Sequence, residues 1–402
     1  MKPSIAIPRI TFWRGVFGLI VAAGLVATWV RFTRGLGAST NLSDRFPWGL
    51  WIGFDVLCGV GLAAGGFAVT AMVHIFHIER YQPILRPTIL TAFLGYLLVI
   101  MALLFDLGRP YRIWHPLVMR NPHSVMFEVA WCVMLYTTVL ALEFSPIVFE
   151  KLRLQRPRRI LRTISVPLVI VGVLLSTLHQ SSLGSLFLIM PQKLHPRYTP
   201  MLPVFFFISA LGVGFAMVIF ESFLSGKAFG KQLELPLLSH LASVVAVVQL
   251  VALVWRLEDL AFRGAWEHLG AQTLPAVTFA AEMIVGALVP IVLFAVPRWR
   301  QNPNTLFLGA ASVVSGFVLN RLNVGITGLE LGTGQRYFPS WMEVAVTMSI
   351  VAIGFALFGV ACRILPIFES PKAQIRRLRR GQLATTPVEP GTSRTQPVSA
   401  QA

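Results

Sequence analysis

Residues 46–74 read FPWGLWIGFDVLCGVGLAAGGFAVTAMVH, with a single charged residue, Asp55, ahead of His74. About 20 apolar residues suffice for a helix to cross the hydrocarbon core of a bilayer, and this stretch is longer than that. Others like it recur along the chain. Together they predict ten spans: 12–31, 48–74, 88–105, 124–144, 164–189, 201–222, 236–255, 274–296, 304–320 and 341–366. The ninth is short and interrupted by Gly309 and Gly316. Composition agrees: the 402 residues are 55% hydrophobic and 13% charged, against roughly 25% charged in soluble domains. A soluble enzyme, a disordered regulator and a fibrous protein are excluded. The expected fold class is an all-α polytopic membrane protein. The first apolar stretch is too long for a cleavable signal and lacks a small-residue cleavage site.

The chain carries 34 Lys and Arg against 17 Asp and Glu, a net charge of +17. In a soluble protein that excess would point to nucleic acid. Here the basic residues sit between apolar segments, so they read as topology signals and contacts to lipid headgroups, and no nucleic acid partner is expected. With ten spans both termini share a side, and 22 of the 34 basic residues fall there. Six of them, from Lys151 to Arg162, follow span 4. The positive-inside rule makes that side cytoplasmic and the protein a multi-pass resident of the bacterial inner membrane. Residues 1–370 form the expected membrane domain. Residues 371–402 are basic, then rich in Pro, Thr, Ser and Gln, and read as a disordered cytoplasmic tail. The three cysteines, Cys58, Cys132 and Cys362, are far apart and form no Cys-x-x-Cys pair. A disulfide framework, a structural zinc and an iron–sulfur cluster are therefore not expected in this chain.

With that orientation the unusual polar residues collect towards the outer, periplasmic side. Asp55 lies seven residues into span 2 from Trp48, about 10 Å deep at 1.5 Å per residue. Asp106 ends span 3, with Arg109 and Arg112 beyond it, and Asn121-Pro122-His123-Ser124 leads to Glu128 in span 4. Span 5 carries His179-Gln180-Ser181-Ser182, then Gly184 and Ser185. Arg256, Glu258 and Asp259 end span 7, Glu282 lies in span 8, Arg321 closes span 9 and Glu343 opens span 10. An ionisable group in hydrocarbon costs about 2.5–3.5 kcal/mol on insertion scales, so it faces a partner or a cavity. Asp55, His179 and Glu282 are deep enough for that argument. Glu128 and Glu343 also suit a helix N-terminus at the interface, and Arg256 and Arg321 also suit structural counter-charges. The other side offers His74, His77, Glu143, Glu221 and His240, either the start of a proton path or ordinary headgroup-level residues. Gly59, Gly61, Gly65 and Gly66 permit close helix contact in span 2. Trp13, Trp29, Trp48, Trp51 and Trp341 read as an interfacial belt. A buried haem needs two axial ligands at matching depth. Of the eight histidines only His179 is clearly within a span, so no bound haem is expected.

Phe46-Pro47-Trp48-Gly49 continuing to Trp51 and Phe54-Asp55 resembles the NrfD/polysulfide-reductase family of membrane subunits. So do the glycine-rich second span, Asp106…Gly108-Arg109 and His179-Gln180-Ser181-Ser182-Leu183-Gly184-Ser185. Within that family the likeness is to the b-type cytochrome subunits of respiratory NiFe hydrogenases. It runs from about residue 40 to 366 and takes in Arg256, Glu258, Glu282, Arg321, Tyr337-Phe338-Pro339 and Trp341. The resemblance implies two four-helix bundles with flanking helices, no cofactor of its own, and a quinone site on the side where an iron–sulfur protein docks. It also implies that acidic and histidine residues inside the bundle handle protons; Asp55, Asp106, Arg109, Glu128 and His179 fall in the matching first-bundle segments. The tail after 371 lies outside the resemblance, and His74 stands where hydrogenase-type sequences carry an aromatic residue.

A quinone needs an apolar, lipid-accessible pocket, hydrogen-bond partners for its carbonyls and proton donors. The expectation is therefore a quinone-reactive subunit taking electrons from a periplasmic ferredoxin-like iron–sulfur subunit, itself fed by a hydrogenase-type catalytic module. Menaquinone or ubiquinone would be the substrate. Asp55, His179, Glu128 and Glu282 are the candidate proton-handling residues, and Trp48, Trp51, Asp106, Arg109 and Ser181 the candidate quinone contacts. A haem-binding cytochrome and a passive membrane anchor remain alternatives. A secondary transporter would show paired Gly/Pro-broken spans in two related halves, and no such repeat is evident.

Overall fold

The computed structural model describes residues 12–189, 199–264 and 274–368; the 371–402 tail, His195 and His268 lie outside them. Ten helices in it are long and apolar enough to cross a membrane, and they are numbered here as spans 1 to 10. They run Phe12–Arg34, Trp51–His74, Glu79–Asp106, Val125–Lys151, Ser165–Leu186, Leu202–Phe229, Leu235–Phe262, Leu274–Ala295, Pro303–Thr333 and Trp341–Ile364. All ten predicted spans are present, and no strand occurs among the described residues. Two directions are convenient: the Trp51 end, where span 2 begins, and the His74 end, where it finishes.

Spans 2 to 5 pack as one four-helix bundle and spans 6 to 9 as a second. Spans 1 and 10 pair with each other, and span 10 also leans on span 3. Contacts of span 6 with spans 2 and 5 join the bundles. Span 2 is the centre of the assembly: 78% of its apolar window is buried, against 17% for span 1 and 22% for span 10. The glycine run explains how one helix can touch so many neighbours. A Cβ on Gly59 would strike Val99 of span 3, and one on Gly61 would strike Phe317 of span 9. A Cβ on Gly65 would lie 2.7 Å from the Gly214 carbonyl oxygen of span 6, and one on Gly66 would strike Ala92 of span 3. Lipid tails are as apolar as leucine, so helices here associate through such close van der Waals contact rather than by escaping water.

The ninth span is the main departure from expectation. It runs to Thr333 instead of stopping near 320. Its last turns carry Asn320, Arg321 and Asn323, which lower the apolar score but are buried against other helices instead of facing lipid. Gly309 and Gly316 do not interrupt it: one receives the Phe294 ring and the other the Gly286 backbone. Trp51 is the second departure. It is 1% exposed, donates from Nε1 to the Glu343 carbonyl at 3.2 Å and packs with Phe105 between spans 1, 3 and 10. It does not belong to the belt, whereas Trp13, Trp29 and Trp341 are exposed.

Three wide π-helical turns break the regular ladder, at Trp51–Val56, Ile284–Leu288 and Asn323–Thr327. Such turns commonly mark functional positions. In span 8 the carbonyls of Val285 and Gly286 accept hydrogen bonds from Ser312 Oγ and Gln249 Nε2, as a low-dielectric surround requires. Helix ends are sealed in the same way. Arg31 is buried and donates to the carbonyls of Phe105 and Leu107 at 2.6 Å each, closing the end of span 3. Ser340 and Glu343 form a capping box at the start of span 10, which settles Glu343 as a helix-terminal group. Gly230 adopts φ +63° to end span 6 in the left-handed conformation.

Gly214→Val should lower stability by about 1–3 kcal/mol through overpacking, because its Cβ would meet the span 2 backbone at 2.6 Å. Gly18→Val, which meets nothing within 4 Å, should leave the thermal midpoint of the detergent-solubilised chain unchanged. Equal midpoints for both variants would remove span 2–span 6 contact as the organising element.

Candidate functional site

Span 5 turns one stripe of its surface into the first bundle: Gly172, Ser176, His179, Gln180 and Leu183 recur at the three- and four-residue spacing of a helix face, and all are buried. His179 is 0% exposed. Its Nδ1 is hydrogen-bonded to Tyr96 Oη at 2.9 Å, and the Tyr96 ring stands edge-on to Tyr136 with centroids 4.7 Å apart. Gln180 Nε2 donates to the Val60 carbonyl at 3.2 Å, tying span 5 to span 2. Four buried polar atoms here have no hydrogen-bond partner within the chain: His179 Nε2, Gln180 Oε1, Ser176 Oγ and Tyr136 Oη. Leaving one such atom unpaired costs about 1–3 kcal/mol, so four in one bundle core are costly. Further along, an added Cβ on Gly172 would lie 3.6 Å from both Glu143 Oε1 and the Tyr136 ring. Glu143 and Tyr136 thus flank the same point on span 5, and Glu143 borders a cavity at the His74 end.

Asp55 occupies a different place. It sits in the first π-helical turn, is 7% exposed, and accepts a hydrogen bond from Thr347 Oγ1 of span 10 at 2.7 Å. Beside it lies an elongated cavity of about 560 Å³ bounded by spans 2, 3, 6, 9 and 10, within the size range of small-molecule sites. Ile350 and Arg363 both line it, so it extends about 20 Å along span 10 at 1.5 Å per residue. Its walls are mainly apolar, including Leu98, Phe220 and Phe355. Partway along lies Glu221, which accepts from Thr91 Oγ1 at 2.8 Å through Oε2 and leaves Oε1 unpaired.

The second bundle holds a third polar group that is largely satisfied. Glu282 Oε1 pairs with Arg256 Nη1 at 2.8 Å and accepts from Asn320 Nδ2 at 2.8 Å; Oε2 accepts from Asn323 Nδ2 at 2.8 Å. Arg321 is fully buried, with its guanidinium carbon 3.7 Å from the Phe206 ring centroid and 4.3 Å from that of Phe317. It donates to Asn320 Oδ1 at 2.6 Å, Ser209 Oγ at 3.0 Å and the Phe206 carbonyl at 3.1 Å. Ser209, Arg256, Glu282, Phe317 and Asn320 border a cavity of about 70 Å³.

The remaining candidates lie at the Trp51 end. Trp48 is half-buried, edge-on to Phe187. Asp106 Oδ1 is buried without a partner. Arg109 and Glu128 are exposed, and the Ser181 hydroxyl turns back onto the carbonyls of Thr177 and Leu178 in its own helix. Tyr337, between spans 9 and 10, donates to Glu343 and accepts from the Leu50 amide at 2.9 Å. Burial and the adjacent carboxylate push its phenol above the ordinary tyrosine range.

The predicted residues are therefore not gathered in one hollow. Asp55 borders the long cavity, His179 belongs to the first-bundle core, Glu282 to the second bundle and Glu128 to the surface. Neither Trp48 nor Trp51 lines the cavity beside Asp55. Tyr96, Tyr136, Thr347, Asn320 and Asn323 were not anticipated. Tyr96 carried a usable signal: a hydroxyl midway through an apolar span must find a partner. Among the described residues no cluster of three or more His, Cys, Asp or Glu is arranged to hold a metal ion.

Glu282→Ala leaves Arg256 uncompensated and takes an acceptor from the side-chain amides of Asn320 and Asn323, and should cost about 3–5 kcal/mol. Glu128→Ala should stay within about 0.5 kcal/mol of the parent. Unfolding midpoints in matched detergent test this; an unaffected Glu282→Ala chain would make that carboxylate dispensable to the scaffold.

Residues 38–332 match the family described as polysulphide reductase, NrfD. The chain is 34% identical over 358 residues to the probable Ni/Fe-hydrogenase 2 b-type cytochrome subunit of Escherichia coli, covering 88% of this chain and 91% of that protein. It is 27% identical over 404 residues to the integral membrane subunit of menaquinone reductase of Nitratidesulfovibrio vulgaris, covering 92% and 95%. A further protein of that organism is 40% identical over 368 residues, covering 89% and 94%. With ten apolar spans in two bundles and a family match over most of its length, the chain is a multi-pass integral membrane protein that belongs to the NrfD family of polysulphide reductase-type membrane subunits.

Proposed function

We propose that this chain is the quinone-reactive subunit of a respiratory oxidoreductase, exchanging electrons with an iron–sulfur partner and protons with its own interior. The observation that carries the reading is the long apolar cavity bordered by Asp55, whose carboxyl is held from behind by Thr347. Its shape suits an isoprenoid-tailed ring: apolar walls along the tail and a carboxyl towards one end. The names of two relatives, a probable hydrogenase 2 subunit and a menaquinone reductase subunit, support the same class. The partner is read as a periplasmic ferredoxin-like subunit fed by a hydrogenase-type module, with menaquinone the preferred substrate over ubiquinone. Reducing the quinone to the quinol consumes two electrons, which the partner supplies, and two protons, which this chain must deliver; reversal releases the same set.

In this reading Asp55 holds a proton against a quinone carbonyl while Thr347 fixes the carboxyl's orientation. His179, Tyr96, Tyr136 and Glu143 form a separate row in the first bundle, running towards the His74 end. Their unpaired atoms are where waters would complete a proton path. The excess of basic residues at the His74 end supports reading that face as cytoplasmic under the positive-inside rule, with the 371–402 tail, outside the described residues, read on the same side. The partner then docks at the Trp51 end, where the 107–124 connection exposes Tyr111, Trp114, Val118 and Met119. No haem is assigned to this chain, although one relative is called a b-type cytochrome subunit. Two axial ligands at one depth would be needed. Of the described histidines, His179 alone lies in a bundle core, while His74, His77 and His240 sit at the opposite end.

Asp55→Asn should lower quinone-linked turnover of the assembled complex by about 10²–10⁴-fold, the usual share of a positioned proton donor. Partner-only turnover with a soluble dye should persist. His179→Ala should reduce quinone turnover likewise. Full quinone activity in both variants would leave a passive anchor, and a Soret band in the purified chain would replace this reading with a cytochrome.

A further inference from the structure

A second cavity, of about 670 Å³, lies at the His74 end of the first bundle, on the opposite face of span 3 from the Asp55 cavity. Its construction follows from the connection between spans 4 and 5. That connection carries a short helix, Gln155–Thr163, with four arginines. Two of them, Arg158 and Arg162, line the cavity together with Arg86 from the start of span 3. Glu150 Oε2 accepts from Arg86 Nη2 at 2.9 Å and from Arg158 Nη2 at 2.7 Å. One carboxylate is thus shared by two guanidiniums. Arg158 Nε is buried with no hydrogen-bond partner within the chain, and Arg162 has no carboxylate within ion-pair distance among the described residues. The other acid on the wall, Glu143, is set deeper, beside Gly172. Even with Glu143 counted as charged, three arginines face two carboxylates, and the rim keeps a positive excess.

Below that rim the wall turns apolar, with Ile89, Leu142, Ile147, Leu168 and Val169. Ile160 and Ile164 beside the rim, and Val166 and Ile170 just past it on span 5, are exposed, so this side of the protein faces lipid and the arginines stand at headgroup depth. Guanidinium forks suit phosphate oxygens, and basic pockets between spans are fitted to anionic headgroups. We infer that this cavity is a binding site for an anionic glycerophospholipid, with its phosphate held by Arg158 and Arg162 and an acyl chain laid on the apolar wall. A free phosphate ion shares the headgroup chemistry but has no use for that wall.

The test uses the full chain in detergent, stripped of endogenous lipid and offered phosphatidylglycerol or phosphatidylcholine with identical acyl chains. Native mass spectrometry counts retained lipid, and thermal unfolding follows stabilisation. Wild type should retain phosphatidylglycerol in preference to phosphatidylcholine. Retention should fall about fivefold for each guanidinium removed in Arg158→Gln/Arg162→Gln. Arg156→Gln/Arg159→Gln, which removes the same charge from residues off the cavity wall, should retain lipid as wild type does. Equal retention of the two lipids by wild type overturns the inference, as does equal loss in both double variants, which would reduce the effect to surface charge. Inorganic phosphate alone giving the full stabilisation also overturns it, in favour of a free-anion site. If the cavity variant does not fold, the wild-type comparison of the two lipids decides.

Discussion

Gly65 of span 2 and Gly214 of span 6 meet almost backbone to backbone, and the two bundles are joined there. A side chain at either position would fill the space that the other helix occupies. Because the surroundings are hydrocarbon, no gain from shedding water would compensate for a looser fit. The rest of the architecture follows from that closeness. Span 2 becomes the buried axis of the molecule, spans 3, 6 and 9 gather round it, and spans 1 and 10 are left as a pair on the outside. The first π-helical turn lies on the same helix, so Asp55 is delivered to the cavity by an element that packing holds on nearly every side.

The two bundles treat polarity differently, and the contrast bears on their roles. In the second bundle Glu282 has a partner for each oxygen, and Arg321 is wedged between two rings and three acceptors with only its Nε left unpaired. Such an arrangement braces helices. In the first bundle a histidine, a glutamine, a serine and a tyrosine share one core and leave four atoms unpaired. A scaffold gains nothing from that, since apolar residues of similar shape would pack as well without the desolvation cost. Under the function proposed above, these unpaired atoms are where the proton path would run.

Much of the fold could be read from hydropathy alone, because a bilayer imposes one length scale on every span. The exceptions have local causes. Span 9 reads as short because Asn320, Arg321 and Asn323 are polar, and only their partners on spans 6 and 8 show that they are interior. Trp51 reads as interfacial because it lies near a span end; the Glu343 carbonyl that takes its Nε1 hydrogen is 292 residues away in sequence. Asp55, His179 and Glu282 stood out as charges or rings in oil, and each is buried. That they belong to three separate environments was not legible, since depth along a helix can be counted but the direction each face points is set by packing. Thr347 illustrates the limit: a mid-span threonine is unremarkable until span 10 sets it against Asp55.

The enclosure of span 2 also constrains how the molecule comes together. Two of its glycines wait for partners made much later: Gly214 lies about 150 residues beyond Gly65 and Phe317 about 250 beyond Gly61. During synthesis this helix must spend its first moments surrounded by acyl chains, with an acidic residue and a row of bare backbone turned towards them. The join between bundles is therefore a late event of high sequence separation, and translation of the second half completes the first.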